Sequence, residues 1–142
     1  MTMWDDLGEF IAKKSNSNFK KWNKTQNSSC KIVEIAIGKF FAVADYLTNS
    51  NLGDIEFIAT DINPANSTVT FDDVTNPNMN IYENADIIYS IRPPQELQPY
   101  IADIMSEIGA TLIIKPLYNE DLNLNLPMKL VNYKKAVFYQ SI

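Results

Sequence analysis

The stretch Ile32–Gly38, with the sequence IVEIAIG, decides how this chain is interpreted. It is an apolar segment that ends in a glycine, and a second apolar segment, Ile55–Asp61 (IEFIATD), ends in an acid. A strand, a glycine turn, a helix and a second strand that ends in a carboxylate are the parts of a nucleotide-type cofactor pocket. The fingerprint is incomplete here, because Ala36 and Phe41 stand near the places of two of its glycines.

Apolar segments alternate with helical patterns on both sides of this stretch, which predicts an α/β fold. The predicted strands are Ile32–Ile37, Ile55–Thr60, Thr68–Phe71, Ala85–Ile91, Thr111–Ile114, Met128–Tyr133 and Ala136–Tyr139. We expect the first five to pair in parallel, with ligands at their carboxyl ends. The last two are joined only by Lys134 and Lys135, which predicts an antiparallel hairpin at one edge of the sheet.

Three helices are predicted around this sheet. The first begins at a capping box formed by Thr2 and Asp5, and apolar residues then recur at helical spacing. The polar stretch Ser15–Ser29 is interpreted as a linker, so that residues 1–29 form a helix and linker within one domain that covers residues 1–142. The inner faces of the other two helices are Phe40, Val43, Ala44 and Leu47, and Leu97, Ile101, Ile104 and Ile108, with Gly109 as a C-terminal cap.

The composition excludes several kinds of chemistry. There is no histidine and only one cysteine, Cys30, so we predict no disulfide, no metal site and no nucleophile activated by histidine. A net charge of −5 argues against binding to nucleic acid, which normally needs a concentrated basic surface. No segment approaches the roughly 18 apolar residues of a membrane span. The acidic N-terminus does not resemble a signal peptide, so the expected location is cytoplasmic.

The later strand ends resemble a known protein family. The segments Ile87–Pro94 (IIYSIRPP), Ala110–Leu117 (ATLIIKPL) and Met128–Tyr133 (MKLVNY) resemble an uncharacterised family of small archaeal proteins with a Rossmann-type, methyltransferase-like fold. Five parallel strands closed by a terminal hairpin are also similar to the class I S-adenosylmethionine methyltransferase fold. The resemblance covers nearly the whole chain. It implies a three-layer, mostly parallel sheet that binds S-adenosylmethionine or its demethylated product, S-adenosylhomocysteine.

The resemblance also implies cofactor contacts after the first strand. In methyltransferases this strand ends in acid-x-Gly-x-Gly, and the matching residues here are Glu34, Ala36 and Gly38. Glycines at such positions let the backbone approach a ligand without an intervening Cβ. The alternative interpretation of Gly38 is a simple turn between strand and helix.

Acids after the second and third strands complete the implied pocket. Asp61 matches the acid that hydrogen-bonds the ribose hydroxyls, although aspartate is also a common turn residue before a pair such as Asn63-Pro64. Asp73, or its neighbour Asp72, matches the acid near the adenine amino group; solvated loop acids are the alternative.

Candidate substrate contacts lie at the ends of the fourth and fifth strands. Ser90 is assigned to the cofactor pocket, and Arg92 and Lys115 are the candidate catalytic residues. Methyltransferases that act on nucleobase amino groups carry an acid or amide where Arg92 stands, which argues against that reaction. Arg92 is suited to bind a carboxylate or phosphate, and its alternative role is a salt bridge to Glu96 or a pocket acid.

Three hypotheses about function follow. The first is a methyltransferase-like protein that binds S-adenosylmethionine or S-adenosylhomocysteine, with catalysis left open and an unknown small molecule or protein as partner. The second is a non-catalytic binding or interaction module, favoured because Asn76–Asn84 barely accommodates a crossover helix. The third, an NAD-binding domain, is disfavoured by the terminal hairpin and by the lack of a substrate domain.

Overall fold

A computed structural model describes residues 2–21, 30–49, 54–117 and 122–142. These residues form a mixed α/β structure with one seven-stranded sheet. The strands are β1 (Cys30–Glu34), β2 (Ile55–Asp61), β3 (Thr70–Phe71), β4 (Ile87–Ile91), β5 (Thr111–Lys115), β6 (Met128–Tyr133) and β7 (Ala136–Ser141). The helices are α1 (Met3–Lys21), α2 (Ala42–Asn49) and α3 (Gln98–Ile108), and short 3-10 turns cover Met79–Ile81 and Gln95–Leu97.

The strand order is β3-β2-β1-β4-β5-β7-β6. The first five strands are parallel to one another, as predicted from the alternation of strands and helices. β7 pairs antiparallel with both β5 and β6, which confirms the terminal hairpin. The chain leaves β1 in one direction to form β2 and β3 and later continues on the other side with β4. The ends of β1 and β4 therefore flank the crevice in which open α/β sheets bind ligands.

Helices cover both faces of the sheet. Alternate residues of a strand point to opposite faces, and this alternation divides the core in two. One cluster joins strand residues such as Ile32 and Ile87 to Leu7 of α1 and Leu47 of α2. The other cluster packs the opposite face, including Val33, Ile88 and Leu112, against Ile101 and Ile104 of α3. The predicted three-layer arrangement is thus present in the described residues.

The N-terminal helix is longer than its sequence predicts. Its capping box is confirmed, since the backbone N–H of Asp5 donates to Thr2 Oγ1 and that of Thr2 donates to Asp5 Oδ2. The predicted boundary at Ser15 is wrong, because α1 continues to Lys21. Ser15 is fully buried, and Asn16 accepts a hydrogen bond from the thiol of Cys30, so this part of α1 packs against β1. The rest of the predicted linker, residues 22–29, lies outside the described residues.

Two other predicted boundaries differ in ways that affect the site. β1 ends at Glu34 rather than at Ile37, and Phe40 precedes α2 instead of lying on its inner face. The intervening residues form a loop that turns at Ala36 and Gly38, both of which have positive φ. Helix α3 ends as predicted, with Gly109 in the left-handed conformation. No helix among the described residues combines the length and the apolar character that a membrane span requires.

Candidate functional site

A cleft of about 280 Å³ lies at the carboxyl ends of the parallel strands. Loop residues after β1, β2, β3 and β4, together with the last residues of β2, form its walls. The lining residues are Ala36, Thr60, Asp61, Ile62, Asp72, Asp73, Val74, Pro94 and Leu97. Of the predicted site residues, the sheet therefore brings together Ala36, Asp61 and Asp73.

Asp61 is held by backbone groups on both of its carboxylate oxygens. Its Oδ2 accepts a hydrogen bond of 2.8 Å from the N–H of Gly38, and its Oδ1 accepts one of 2.8 Å from the N–H of Asn63. Asp61 therefore stabilises the adjacent turn, which is the alternative role that the sequence suggested for it. A carboxylate oxygen has two lone pairs, so each oxygen keeps capacity for a further donor. Asp61 is fixed in position and still able to accept two hydroxyl groups.

The loop after β1 contains two left-handed residues, Ala36 with φ 58° and Gly38 with φ 61°. It is anchored to both neighbouring strands, because the N–H of Ile35 donates to Tyr89 and that of Ile37 donates to Thr60. A Cβ placed on Gly38 would meet no protein atom within 4 Å. Glycine at position 38 is therefore explained by its positive φ and not by lack of space for a side chain. Ala36, which lines the cleft, has the same left-handed conformation but carries a Cβ, so its backbone is strained.

Ala36→Gly should stabilise the protein by about 0.5–1 kcal/mol. Glycine removes a left-handed strain of about 1–2 kcal/mol, and the larger entropy of the unfolded glycine variant offsets about 0.5–1 kcal/mol of that gain. Urea unfolding measures the difference. The matched control is Ala42→Gly in the first turn of α2, where the same change should destabilise. If both variants lose the same stability, Ala36 is not strained.

The two adjacent acids after β3 differ in role. Asp72 is buried and accepts hydrogen bonds from the hydroxyl of Tyr82 at 2.5 Å and from the N–H of Asn78 at 2.9 Å. It therefore fixes the loop between β3 and β4. Asp73 is half-buried, and its Oδ1 accepts from the N–H and the hydroxyl of Thr75. No described residue donates to Asp73 Oδ2, so Asp73 is the acid better placed to meet a ligand.

Glu34 and Ser90 do not line the cleft. Glu34 is buried on the face covered by α1 and α2, where the hydroxyl of Tyr89 donates to its Oε1 at 2.6 Å. Burial raises the pKa of Glu34 to about 8, and the hydrogen bond from Tyr89 only partly opposes this shift. Ser90 is also buried, and its hydroxyl donates to the carbonyl of Ile35 at 2.6 Å. Ser90 thus links β4 to the loop that contains Ala36.

Arg92 and Lys115 lie together outside the cleft. The N–H of Arg92 donates to the carbonyl of Lys115 at 2.6 Å, and Arg92 is left-handed with φ 56°. Its guanidinium carbon lies 5.2 Å from the ring centre of Trp4 and 5.0 Å from that of Phe40. Burial and, secondly, the charge of Arg92 lower the pKa of Lys115. In the part of the chain that the structure describes, Arg92 forms stacking contacts rather than the salt bridge to Glu96 considered above.

Comparison with known proteins identifies the family. Residues 17–142 match the uncharacterised protein family UPF0146. The chain belongs to this family. A UPF0146 protein of Methanothermobacter thermautotrophicus is 37% identical over 140 residues, which cover 99% of this chain and 96% of that protein. Relatives from Methanocaldococcus jannaschii (43% over 125 residues) and Archaeoglobus fulgidus (42% over 118 residues) each cover 80% of this chain and 85% of their own length. The predicted resemblance to small archaeal proteins is confirmed.

Sequence reasoning missed two parts of the site in this UPF0146 member. The apolar wall of the cleft, which includes Ile62, Val74 and Leu97, comes from three separate loops, and no local pattern marks it. The aromatic pair below Arg92, Trp4 and Phe40, was also missed, because Trp4 is one of the apolar residues that recur at helical spacing after the capping box. Helix α1 and the loop after β1 bring Trp4 and Phe40 to a ring distance of 4.7 Å. The sequence feature that marks this place is Arg92 directly before the proline pair Pro93-Pro94.

Proposed function

We propose that the cleft binds the nucleoside part of S-adenosylmethionine or S-adenosylhomocysteine. The observation that carries the proposal is the position of Asp61 at the carboxyl end of β2, with its carboxylate oriented by Gly38 and Asn63. A carboxylate fixed in this way can accept hydrogen bonds from both hydroxyls of a ribose. The adjacent turn at Ala36 supplies backbone at the same edge of the cleft.

The rest of the cleft suits an adenine base. Ile62, Val74 and Leu97 offer apolar side chains for the faces of the ring. Asp73 has a carboxylate oxygen available to accept a hydrogen bond from the exocyclic amino group of adenine. The volume of about 280 Å³ is near the lower limit of ligand pockets, roughly 300 Å³. It fits a nucleoside better than a complete dinucleotide, which favours the adenosyl cofactors over NAD.

The charges of the cleft agree with this ligand. Its three acidic residues, Asp61, Asp72 and Asp73, give it a negative potential that favours a cationic sulfonium and amino group. S-adenosylmethionine, when bound, supplies an electrophilic methyl group. Transfer of that group depends mainly on the alignment of an acceptor, and Arg92 and Lys115, at the ends of β4 and β5, are the candidate residues for holding one.

A binding module that does not transfer methyl groups is the second candidate. It is favoured by Glu34, which is buried away from the cleft and whose raised pKa of about 8 keeps it mostly neutral at pH 7. The acid of the cofactor motif therefore supplies no contact or charge to the cleft. The connection between β3 and β4 also contains only the 3-10 turn Met79–Ile81 and no crossover helix.

Calorimetry and thermal unfolding with S-adenosylmethionine, S-adenosylhomocysteine, ATP and NAD test the proposal. We expect saturable binding of the two adenosyl cofactors. A ligand at about 100 times its Kd should add about 2.7 kcal/mol to the free energy of unfolding. Tighter binding of NAD would support the dinucleotide hypothesis instead, and no binding of any of the four would overturn the proposal. If the cofactors bind, transfer of a labelled methyl group into cell extract separates an enzyme from a binding module.

A further inference from the structure

Arg92 and Lys115 place two positive charges at the ends of neighbouring strands. Arg92 follows β4, Lys115 ends β5, and the 2.6 Å hydrogen bond between their backbones fixes the two residues side by side. The positive charge of Arg92 is close enough to the ammonium group of Lys115 to lower its pKa. Among the described residues, neither side chain forms an ion pair with an acid. Two adjacent like charges without a counter-charge are unfavourable unless a ligand neutralises them.

The guanidinium of Arg92 is also held in position. It lies over the rings of Trp4 and Phe40, which themselves pack edge to face at 4.7 Å. Such stacking stabilises the cation and leaves the N–H groups at the edge of the guanidinium plane available. The backbone of Arg92 is left-handed, with φ 56°, which is costly for a residue of this size. Strained backbone of this kind is concentrated at ligand sites.

We propose that Arg92 and Lys115 bind an oxyanion, a carboxylate or phosphate, of a small substrate that lies beside the cleft. The guanidinium offers two parallel N–H groups that match the oxygens of such an anion, and the ammonium offers a third donor. The cations follow β4 and β5, whereas the acids of the cleft follow β2 and β3. This separation of charge assigns a cationic ligand to one site and an anionic ligand to the other. Binding of the anion depends only on Arg92 and Lys115. The assignment of that anion to a substrate rests on the proposed cofactor function.

The test is calorimetric titration of the full chain with inorganic phosphate and with succinate, at constant ionic strength set by sodium chloride. Tryptophan fluorescence in a Trp22→Phe background gives a second readout, because Trp4 is then the only indole and Arg92 lies over it. We expect saturable binding of at least one anion with a change in Trp4 emission. Tighter binding of phosphate assigns a phosphorylated substrate, and tighter binding of succinate assigns a carboxylic acid.

Variants then localise the site. Lys115→Gln and Arg92→Asn should each weaken anion binding at least 10-fold; asparagine is chosen because it tolerates the left-handed conformation. Lys129→Gln, on the exposed strand β6, removes the same charge elsewhere and should leave the Kd unchanged. Circular dichroism checks folding, and Lys115→Gln decides the matter if Arg92→Asn does not fold. Equal affinity of Lys115→Gln and the wild type, equal loss in Lys129→Gln, or no saturable binding by either anion overturns the proposal.

The same titrations with S-adenosylhomocysteine present separate this inference from the proposed function. If the anion binds but S-adenosylhomocysteine does not, the anion site stands and the cofactor proposal fails. If S-adenosylhomocysteine binds and neither anion does, the cofactor proposal stands and the anion site fails. If both bind together and Lys115→Gln weakens only the anion, both proposals stand.

Discussion

Glu34→Gln is expected to raise the free energy of unfolding by about 2–4 kcal/mol at pH 8. The carboxyl group of Glu34 is buried on the face covered by α1 and α2, and its charged form would be desolvated there. Glutamine has nearly the same shape, carries no charge at any pH and still accepts the hydrogen bond that the hydroxyl of Tyr89 donates. A pKa difference of one unit corresponds to about 1.4 kcal/mol, which sets the size of the effect.

The direction of the pH dependence follows from where the protons bind. The pKa of Glu34 is raised from 4.5 to about 8 by folding, so between these values the folded protein binds more protons than the unfolded chain. The free energy of unfolding of the wild type should therefore fall as the pH rises through this window. The contribution of Glu34 is complete below pH 4.5 and is lost above about pH 8. Glu34→Gln should lack this slope.

Urea unfolding at pH 5, 6, 7 and 8 measures both the stability and the slope. The pKa of Glu9 is lowered to about 2 by hydrogen bonds from Lys134 and Tyr133, so Glu9 titrates below this window and does not interfere. Glu56→Gln, an exposed carboxyl on β2, is the matched control and should follow the wild type at every pH. Equal slopes for Glu34→Gln and the wild type would show that Glu34 is not neutral in the folded protein.

The sheet could be predicted from sequence because its signals are local. The apolar segment of β4 and the two-residue connection at Lys134 and Lys135 each determine their element without distant contacts. The extent of α1 could not be predicted in this way. Ser15 and Asn16 are polar residues, and the helix continues through them because α1 packs against β1, where Ser15 is buried and Asn16 contacts Cys30.

The same distinction between local signals and distant contacts applies to the residues of the candidate site. Asp61 was identified because it ends a strand, and the carboxyl end of a parallel strand fixes a residue at the ligand edge of the sheet. Glu34 was assigned to the same pocket because it shares a motif with Ala36 and Gly38. The strand ends at Glu34, so that side chain still follows the strand alternation and enters the core. The loop then turns at Ala36, and a positive φ at an alanine has no sequence signal.

Asp61→Asn is expected to weaken the binding of adenosine and of S-adenosylhomocysteine about 100-fold, or about 2.7 kcal/mol. The carboxylate accepts from the N–H groups of both Gly38 and Asn63 and, in our proposal, from two ribose hydroxyls. An amide has one acceptor oxygen and a donor NH2 in place of the other. One of the backbone N–H groups and one ribose hydroxyl therefore lose their acceptor, and each lost hydrogen bond to a charged group costs about 1.5–3 kcal/mol.

Asp61→Asn could lower the affinity either because a contact to the ribose is lost or because the turn at Asp61 is loosened. Binding of 2′-deoxyadenosine separates these two causes. If Asp61 contacts the ribose, the wild type should prefer adenosine over 2′-deoxyadenosine by about 10-fold, since one hydroxyl to a charged acceptor is missing. Asp61→Asn should lose this preference, and Asp103→Asn, an exposed acid of α3, should retain it. If Asp61→Asn binds both nucleosides more weakly by the same factor, the role of Asp61 is to stabilise the turn and not to contact the ribose. A lost preference, measured by calorimetry at one pH and ionic strength, locates the ribose at Asp61, because only a direct contact distinguishes a 2′-hydroxyl from a hydrogen.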